Sequence, residues 1–548
     1  MNSSLRVRLG SLLALSLICY CVFFYALGNY PLFDPDEGRS GQIAKEMVGS
    51  GNWLTLTHEG EPYYDKPAPY FWLLALGLKF SGLNEWPLRL PSALAACLTV
   101  AVVYLWGSVS GHPERGFWSG MVLATSMEFV ALGHAARMDM LFTFFFTAAL
   151  LSFLWWQQRV LEKVWIWLFY VFMALAVLVK GPVGLVLPLL IVFVARGLRN
   201  RWALVQEIHL MRGMVIVTVV AGSWYLVAAV YDPEYIWTFL WDHNVVRYFI
   251  AEKGENHPRP LYYFLPLLMG GYLPWSLWLP PIFYDLWRHR KEESHEAGFL
   301  FVWAAAVFVF FSLSRNKLGP YILPLFPPLA LLTGDFLHRF RESSFAPKWI
   351  RLWVLSTSAI WLLLILALFP LSELFLSGRH SYLPSFRQPL LPGTLFILFL
   401  VVGWIFRRAS WTPWVIALSS LWLVVWFYGA KASEIGELKS SRNLAQFVNG
   451  ISGKEFRVIA LKGDSFSFYL SRELEVVSGT DVAERMLHEE IPTVALVKEK
   501  HLRELQIDSP KRLFVWKSVP SENALLANFP PPPSHFDSPP PTLPLIHW

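Results

Sequence analysis

Short clusters of charged residues interrupt an otherwise apolar sequence, and their carboxylates and cations could carry acid–base or phosphate chemistry. The densest cluster is residues 34–39 (DPDEGR), where the chain leaves its first apolar run. Carboxylates at a low-dielectric boundary are costly unless they serve a function. Asp36 and Glu37 are therefore candidate catalytic acids or bases. Asp34 and Arg39 are candidate substrate-binding groups. The structural alternative is that Asp34 or Asp36 caps a helix that begins near Glu37.

The second cluster is Tyr64-Asp65-Lys66, which stands between Pro62 and Pro67. Proline fixes the backbone on both sides, so the acid and the base are rigidly presented. Lys66 could neutralise a phosphate, and Asp65 could bind a metal or an amine. The alternative is a solvated ion pair in a surface turn.

Arg137 and Asp139 form a third cluster, which begins an apolar run just after His134. The pair could bind substrate or take part in catalysis. It could equally be a buried ion pair that braces two helices. In a fourth cluster, His243 and Arg247 lie four residues apart and share a face if the segment is helical. His243 near Asp65 would make a plausible divalent-cation site, although a lone histidine is usually structural.

The fifth cluster is residues 314–321 (SRNKLGPY), which include Arg315, Lys317 and Tyr321. The pattern predicts a short loop between two membrane spans. Two cations in a short loop on this side run against the usual charge distribution of membrane proteins. Contact with lipid headgroups is the structural alternative to substrate binding.

Composition identifies the elements that must position these clusters. Of the 548 residues, 55% are hydrophobic and 16% are charged, whereas soluble globular chains carry about 25% charged residues. This excludes a disordered chain and argues against an ordinary soluble enzyme. The net charge of +6 is modest and does not indicate nucleic-acid binding. The three cysteines lie in apolar runs and imply no disulfide framework.

The apolar runs predict an all-α polytopic membrane protein with about thirteen spans, since a span needs about 20 apolar residues. Lys and Arg concentrate in alternate loops, which predicts an N-terminus inside and a C-terminus outside. The split at Lys180-Gly181-Pro182 is needed for the odd number of spans. The predicted spans are 10–28, 90–109, 116–133, 138–156, 164–179, 182–198, 213–231, 261–285, 298–314, 320–337, 350–373, 390–406 and 412–430.

The predicted domains are a membrane domain over 1–430, a soluble α/β domain over 431–518 and a proline-rich tail over 519–548. Two large outside loops, 29–89 and 232–260, belong to the membrane domain. Helices are expected at 36–50 and 68–81, the second on the membrane surface. In the soluble domain we predict strands at 457–461, 493–497 and 513–516, and helices at 441–449 and 481–489.

All five clusters map to the outer face of the membrane, and the mid-span segments are almost purely apolar. A transporter would place charges near the bilayer centre, so outer-surface chemistry on a lipid-borne substrate is favoured. In such chemistry Lys66, Arg247 and Lys317 would stabilise a departing phosphate. Asp36 would orient or deprotonate the acceptor.

The motifs at 34–39, 63–67, 137–139 and 314–324 resemble those of the lipid A 4-amino-4-deoxy-L-arabinose transferases. This family has the GT-C fold of membrane glycosyltransferases and is related to protein O-mannosyltransferases. The resemblance covers about residues 1–340, and the motifs occur in the family's order. It implies thirteen transmembrane helices, periplasmic juxtamembrane helices and a small periplasmic domain.

The resemblance also implies an undecaprenyl phosphate sugar donor, a lipid A phosphate acceptor and inversion at the sugar. Asp36 and Asp139 match the important aspartates of the family. Lys66 and Arg247 match its phosphate-binding pair, and Tyr321 matches a tyrosine near the lipid phosphate. A zinc site would fall on Asp65, where the family pattern has glutamate, and His243. We expect a monomer in the bacterial inner membrane with its site facing the periplasm.

Three alternatives stay open at this stage. The same fold could transfer a sugar from another polyprenyl phosphate to a protein or glycan acceptor. Alternatively, the chain could move a lipid-linked sugar across the membrane, or be a structural membrane protein with a sensory outer domain. Each interpretation that involves catalysis requires the separated clusters to surround one cavity.

Overall fold

The computed structural model describes two compact units. One unit consists of Met1–Leu27, Tyr64–Leu73 and Arg89–Gly429, and the other of Gly28–Tyr63, Leu74–Leu88 and Ala430–Trp548. The residues that the structure describes are 3–109, 112–158, 162–196, 201–246, 248, 259–289, 295–342, 348–377, 411–451, 455–460, 463–477, 491–498, 514–518 and 523–529.

The α-helices, numbered along the chain, make up most of the described residues of the first unit and part of the second. The helices up to the second large loop are α1 Ser3–Cys19, α2 Asp36–Ser50, α3 Ala68–Ser81, α4 Glu85–Val109, α5 Pro113–Ala124, α6 Met127–Gly133, α7 Met138–Gln157, α8 Glu162–Lys180, α9 Val183–Arg196, α10 Arg201–Glu207, α11 Leu210–Val217, α12 Ser223–Tyr231 and α13 Pro233–Trp237. The later helices are α14 Phe264–Gly271, α15 Leu279–His289, α16 His295–Leu313, α17 Phe326–Glu342, α18 Lys348–Ser377, α19 Thr412–Trp426, α20 Ala432–Lys439, α21 Arg442–Asn449 and α22 Ser465–Tyr469.

Seven helical segments among the described residues are long and apolar enough to cross a membrane. Twelve of the thirteen predicted spans coincide with described helical segments, and the span 390–406 lies outside the described residues. Four further apolar helices are shorter than a full crossing. The number thirteen therefore stays a prediction.

The predicted break at Lys180-Gly181-Pro182 is confirmed, because α8 ends at Lys180 and α9 begins at Val183. Gly181 has a φ of +87°, a left-handed conformation that glycine adopts without steric cost. Its N–H donates to the carbonyl oxygen of Val177 at 2.7 Å, which ends α8 in the usual way for a glycine cap. The turn leaves Lys180 as the last residue of its helix.

Two predicted spans are not continuous helices. The span 116–133 is divided between α5 and α6, where the hydroxyl groups of Thr125 and Ser126 donate back to carbonyl oxygens one turn earlier. Such back-bonding offers the backbone an alternative to a straight helix. The span 261–285 is divided between α14 and α15, because Gly271 and Pro274 are both poor residues for a helix interior.

The close approach of α4 and α5 depends on Gly116. A Cβ atom on Gly116 would lie 2.2 Å from Ser108 Oγ and 2.4 Å from the carbonyl oxygen of Tyr104. One turn later, a Cβ on Gly120 would lie 3.0 Å from the side chain of Leu15. Small residues four apart are the usual means by which membrane helices approach closely.

We expect Gly116→Ala to destabilise the protein by about 1–3 kcal/mol, which is the usual cost of overpacking. The measurement is the thermal unfolding of purified protein in detergent. The matched control is Gly49→Ala in α2, where an added Cβ meets no atom within 4 Å. If Gly116→Ala unfolds at the same temperature as Gly49→Ala, the packing argument is wrong.

The unit that contains the C-terminal residues is built on a mixed sheet. Its strand order is β4-β3-β5-β7-β6, in which β3 is parallel to β4 and β5, and β7 is antiparallel to β5 and β6. The strands are β3 Arg457–Ala460, β4 Glu475–Val476, β5 Thr493–Lys498, β6 Phe514–Ser518 and β7 Asn523–Ala527, and a two-stranded hairpin in the same unit contains β1 Thr57–His58 and β2 Glu61–Pro62. Helices α21 and α22 supply Leu444, Val448 and Phe466 to its core.

The predicted end of the soluble domain at residue 518 is wrong. Strand β7 lies between β5 and β6, inside the region predicted as a proline-rich tail. Its residues Ala524–Ala527 are fully buried, and a strand buried on both faces shows no alternation that would mark it. The rest of the predicted tail, and the helix predicted at 481–489, lie outside the described residues. The predicted strands at 457–461, 493–497 and 513–516 and the helix at 441–449 are confirmed.

Candidate functional site

A buried ionic cluster centres on Asp139, at the start of α7. Its two carboxylate oxygens contact Lys180 Nζ at 2.6 Å and Arg137 Nε at 3.2 Å. The side chain of Asp139 is only 7% exposed. These contacts match the alternative of a buried ion pair that braces two helices, because Asp139 on α7 also pairs with Lys180 at the end of α8. A buried carboxylate with two cationic partners satisfies the main requirement for a stable buried charge.

Lys180 is a member of this cluster that was not among the predicted site residues. Its Nζ lies 4.9 Å from the ring centroid of Tyr321 and 5.1 Å from that of Phe142. These distances are within the range of a cation–π interaction. Tyr321, a predicted ligand of the donor phosphate, therefore belongs to the same cluster as Asp139. The charge at the end of an apolar helix was the available sequence signal for Lys180.

The segment Tyr64–Lys66 lies against α13 and the π-helix that follows it, Thr238–Val246. The hydroxyl of Tyr64 donates to Asp232 Oδ2 at 2.8 Å, and that of Tyr235 donates to the carbonyl oxygen of Lys66 at 3.3 Å. Burial and the contact with Asp232 raise the pKa of Tyr64 to about 12. These contacts hold the backbone that carries Lys66.

Asp65 and His243, the two candidate metal ligands, lie side by side, which the sequence alone could not show. His243 Nε2 lies 3.0 Å from Asp65 Oδ1, and both side chains are about one quarter exposed. A catalytic zinc ion takes three protein ligands in addition to water or substrate. Among the described residues, no group of three His, Cys, Asp or Glu side chains could hold a metal. Asp65 and His243 are two donors among the described residues, and the zinc site stays a prediction.

Lys317 and Arg247 are both predicted to bind phosphate, but only Lys317 lies among the described residues. The ammonium of Lys317 donates to the carbonyl oxygens of Arg259, at 3.0 Å, and Ser314. Lys317 is only 2% exposed, and burial lowers its pKa. These contacts occupy two of the three donors of the ammonium group and give Lys317 a structural role. Its contact with phosphate stays a prediction. Arg247 lies outside the described residues.

The first-loop carboxylates do not cap α2 as the alternative interpretation proposed. Asp36 is the first residue of α2, and its N-cap, Pro35, makes no side-chain capping bond. Instead, Glu37 Oε2 accepts a bond from the backbone N–H of Phe33 at 2.9 Å. Glu37 is 3% exposed. This buried contact gives Glu37 a role in holding the loop, and leaves Asp36 as the more accessible of the two predicted catalytic carboxylates.

Asp34 and Arg39, two predicted substrate-binding residues, contact the segment before and at the start of α22. Ser465 donates to Asp34 through its backbone N–H, at 2.8 Å, and through its hydroxyl, at 2.6 Å. Arg39 Nε lies 3.7 Å from Asp464 Oδ1. Sequence reasoning missed Ser465 and Asp464, because neither belongs to a recognisable motif.

Burial raises the pKa of Asp34 to about 7, against the opposing effect of the bonds from Ser465. The unfolded chain then binds fewer protons than the folded one between pH 4 and 7, so stability is expected to fall as the pH rises through this window. Thermal unfolding in detergent from pH 4.5 to 8 measures this change of stability with pH. Asp34→Asn should show a flatter profile, and identical profiles for the two proteins would contradict the assignment.

The structure thus brings the predicted residues together in separate groups. Arg137, Asp139 and Tyr321 join Lys180 in one group, and Tyr64, Asp65 and His243 join Asp232 in a second, both within the first unit. Residues 34–39 of the first loop lie in the other unit. Convergence of all of them on one cavity stays a prediction.

Comparison with known proteins places this chain in a family. The family model for dolichyl-phosphate-mannose-protein mannosyltransferases matches residues 65–225. A relative from Pseudomonas paraeruginosa, named undecaprenyl phosphate-α-4-amino-4-deoxy-L-arabinose arabinosyl transferase, is 30% identical over 427 residues, which are 75% of this chain and 74% of the relative. The chain belongs to this aminoarabinose transferase family. The family resemblance predicted from the motifs is confirmed.

Other members of the aminoarabinose transferase family match over shorter lengths. Arabinosyl transferase 1 of Pseudomonas fluorescens is 32% identical over 331 residues, so the match spans 59% of that relative's length. The crystal structure of ArnT from Cupriavidus metallidurans bound to undecaprenyl phosphate superimposes with a TM-score of 0.77 at 23% identity, covering 95% of this chain and 98% of that one. The predicted GT-C fold is therefore confirmed, and the protein is a multi-pass membrane protein of a glycosyltransferase family.

Proposed function

We propose that this protein transfers 4-amino-4-deoxy-L-arabinose from undecaprenyl phosphate to a phosphate of lipid A. The relatives named for undecaprenyl phosphate-linked aminoarabinose support the donor. The observation that carries the proposal is the buried cluster of Arg137, Asp139, Lys180 and Tyr321 in the membrane-embedded unit. Ionisable groups at such positions are costly and therefore functional by default.

The proposed reaction exchanges one bond of the sugar for another. An oxygen of the acceptor phosphate attacks the anomeric carbon from the face opposite the donor phosphate. The bond from that carbon to the donor phosphate oxygen breaks, undecaprenyl phosphate leaves with the bonding electrons, and the configuration inverts. Charge grows on the departing oxygens, so cations and hydroxyl donors such as Lys66 and Tyr321 accelerate the step.

The chemical nature of the acceptor determines whether it needs a general base. A phosphate monoester has a second pKa near 6, so the lipid A phosphate is already largely anionic at neutral pH. Asp36 then orients the acceptor or stabilises positive charge on the sugar, and need not remove a proton. We expect Asp139 to act by holding Lys180 and Arg137 in place.

An apolar groove in the first unit supports a lipid-linked donor. It has a volume of about 420 Å³ and is lined wholly by hydrophobic side chains from α14 to α17, including Leu268, Phe301 and Leu329. Such a surface accepts isoprenoid carbon without leaving a polar group unpaired. Leu325, which also lines the groove, lies four residues after Tyr321 in the 3-10 helix Gly319–Leu325.

The proposed location is the bacterial inner membrane, with the site and the C-terminal sheet on the periplasmic side. The distribution of Lys and Arg between alternate loops supports this orientation. We propose that the protein acts as a monomer on its two lipid substrates.

A second candidate keeps the donor chemistry and changes the acceptor to a protein hydroxyl. The match of residues 65–225 to protein mannosyltransferases favours this alternative. Because a hydroxyl is a weak nucleophile at neutral pH, the acceptor would then require a general base.

The decisive experiment incubates purified protein in detergent with undecaprenyl phosphate-aminoarabinose and lipid A, and measures the mass of the lipid A product. Addition of one sugar to lipid A is the expected result. If lipid A gains no sugar while the donor crosses the membrane of liposomes that contain the protein, the chain is a transporter and the proposal is wrong.

A further inference from the structure

The loop before α22 and the first residue of that helix present three successive backbone N–H groups to carboxylates of the first loop. Glu59 Oε1 accepts from Gly463 at 2.6 Å and from Asp464 at 3.0 Å. Asp34 Oδ1 accepts from Ser465 at 2.8 Å. Both carboxylates also accept a serine hydroxyl, since Ser467 Oγ donates to Glu59 at 2.9 Å and Ser465 Oγ to Asp34 at 2.6 Å.

The other end of α22 contacts the same loop through a cation. Lys45 Nζ donates to the carbonyl oxygens of Ser467, Phe468 and Leu470 at 2.8, 3.0 and 2.8 Å. The first loop therefore contacts α22 at both ends, with hydrogen-bond acceptors at its beginning and a hydrogen-bond donor at its end.

The first loop also packs closely against α22 at Gly38. A Cβ on Gly38 would lie 2.3 Å from the backbone nitrogen of Ser465 and 2.5 Å from Asp34 Oδ1. Only glycine fits there without displacing α22. Asp34 is also held by its backbone N–H, which donates to the carbonyl oxygen of Lys439 at 2.9 Å.

We propose that Ser465 is a positioning residue for sugar transfer: α22 of the C-terminal sheet domain holds the first loop through Asp34, Glu59 and Lys45 and thereby orients Asp36. The inference rests on the proposed function for the role of Asp36. It assigns a purpose to the C-terminal domain, which supplies the rigid partner that a catalytic loop needs.

The position of Asp36 explains why this contact matters. Asp36 begins α2 and follows Asp34 by two residues. When Asp34 is fixed by three hydrogen bonds, the backbone on which Asp36 stands has little freedom. Misplacement of a catalytic group by about 1 Å can reduce turnover by about 10²-fold, so a single hydroxyl at Ser465 can have a measurable effect.

The test is a double-variant cycle on Asp34 and Ser465, measured as kcat and as the KM for the lipid-linked sugar. Ser465→Ala is expected to lower kcat about tenfold, since a partial loss of orientation is smaller than a full displacement. The KM for the donor should not change. In the Asp34→Ala background, Ser465→Ala should have no further effect, because residues that act as one unit are not additive.

The cycle also separates positioning from a local folding defect. Ser465 Oγ accepts from the backbone N–H of Ser441 at 2.9 Å, and Ser465→Ala loses that bond in either background. An effect of equal size in both backgrounds would therefore overturn the proposal. The matched control is Ser471→Ala, whose hydroxyl donates to Asn449 at 2.8 Å within the same domain. Its kcat should equal that of the wild type.

Hydrogen exchange tests the contact independently of sugar transfer. The amides of α2 should exchange faster in Ser465→Ala than in Ser471→Ala. If the wild type transfers no sugar but α2 exchanges faster in Ser465→Ala, the proposed function fails while the contact survives. If the wild type is active, and Ser465→Ala matches Ser471→Ala in both kcat and exchange, the positioning role is overturned.

Discussion

Replacement of Lys180 by methionine is expected to abolish sugar transfer and to destabilise the protein by about 3–5 kcal/mol, the usual cost of removing one partner from a buried ion pair. Lys180 Nζ lies 2.6 Å from Asp139 Oδ1, and the two side chains are 10% and 7% exposed. Without the ammonium, Arg137 is the remaining described cation within contact of this carboxylate. Thermal unfolding in detergent and transfer of sugar to lipid A measure the two effects.

The double variant Lys180→Met/Asp139→Asn distinguishes stability from function. Removal of the carboxylate's charge should restore most of the stability that Lys180→Met loses, because no buried anion remains without its partner. Transfer should remain absent, since the cation beside Tyr321 is still missing. Lys348→Met, at the exposed lysine that begins α18, is the matched control and should unfold like the wild type. A fully stable and active Lys180→Met would contradict this account of the cluster.

Asp36→Asn is expected to slow transfer by an amount that identifies the acceptor. A general base contributes about 10²–10⁴-fold to a rate, and a hydroxyl acceptor would lose that whole contribution. A phosphate acceptor loses only orientation and charge stabilisation, so the variant should keep more than about a hundredth of the wild-type rate with lipid A. The measurement is kcat with each acceptor at saturating donor.

The control for this variant is Glu61→Gln, at an exposed carboxylate in β2 of the same loop. It removes one negative charge without touching α2 and should transfer sugar at the wild-type rate. A near-total loss of transfer to lipid A in Asp36→Asn would mean that Asp36 removes a proton from the acceptor, against the proposed mechanism.

Local sequence patterns predicted the helices well because their causes are local. The run predicted at 138–156 is α7, Met138–Gln157, and the break at Gly181 follows from the conformation that only glycine adopts easily. The pairing of Arg137 with Asp139 could also be foreseen, since the two residues lie two positions apart at a helix start.

Contacts between distant segments could not be predicted in the same way. Lys180 is 41 residues from Asp139, and no periodicity in either helix indicates that they meet. The carboxylate of Asp34 was a candidate helix cap, but its partner is Ser465, 431 residues away. Lys317 has the charge of a phosphate ligand, and only the structure shows that its ammonium group donates to two backbone carbonyl oxygens.

The contact between the first loop and α22 also orders events during biosynthesis. Ribosomes add about 5–20 residues each second, so the 431 residues that separate Asp34 from Ser465 take about 20–90 s to make. Throughout that interval the loop that carries Asp36 lacks the partner that fixes it. From the proposed positioning role of Ser465, we expect this loop to reach its final geometry only after α22 has been synthesised and has folded.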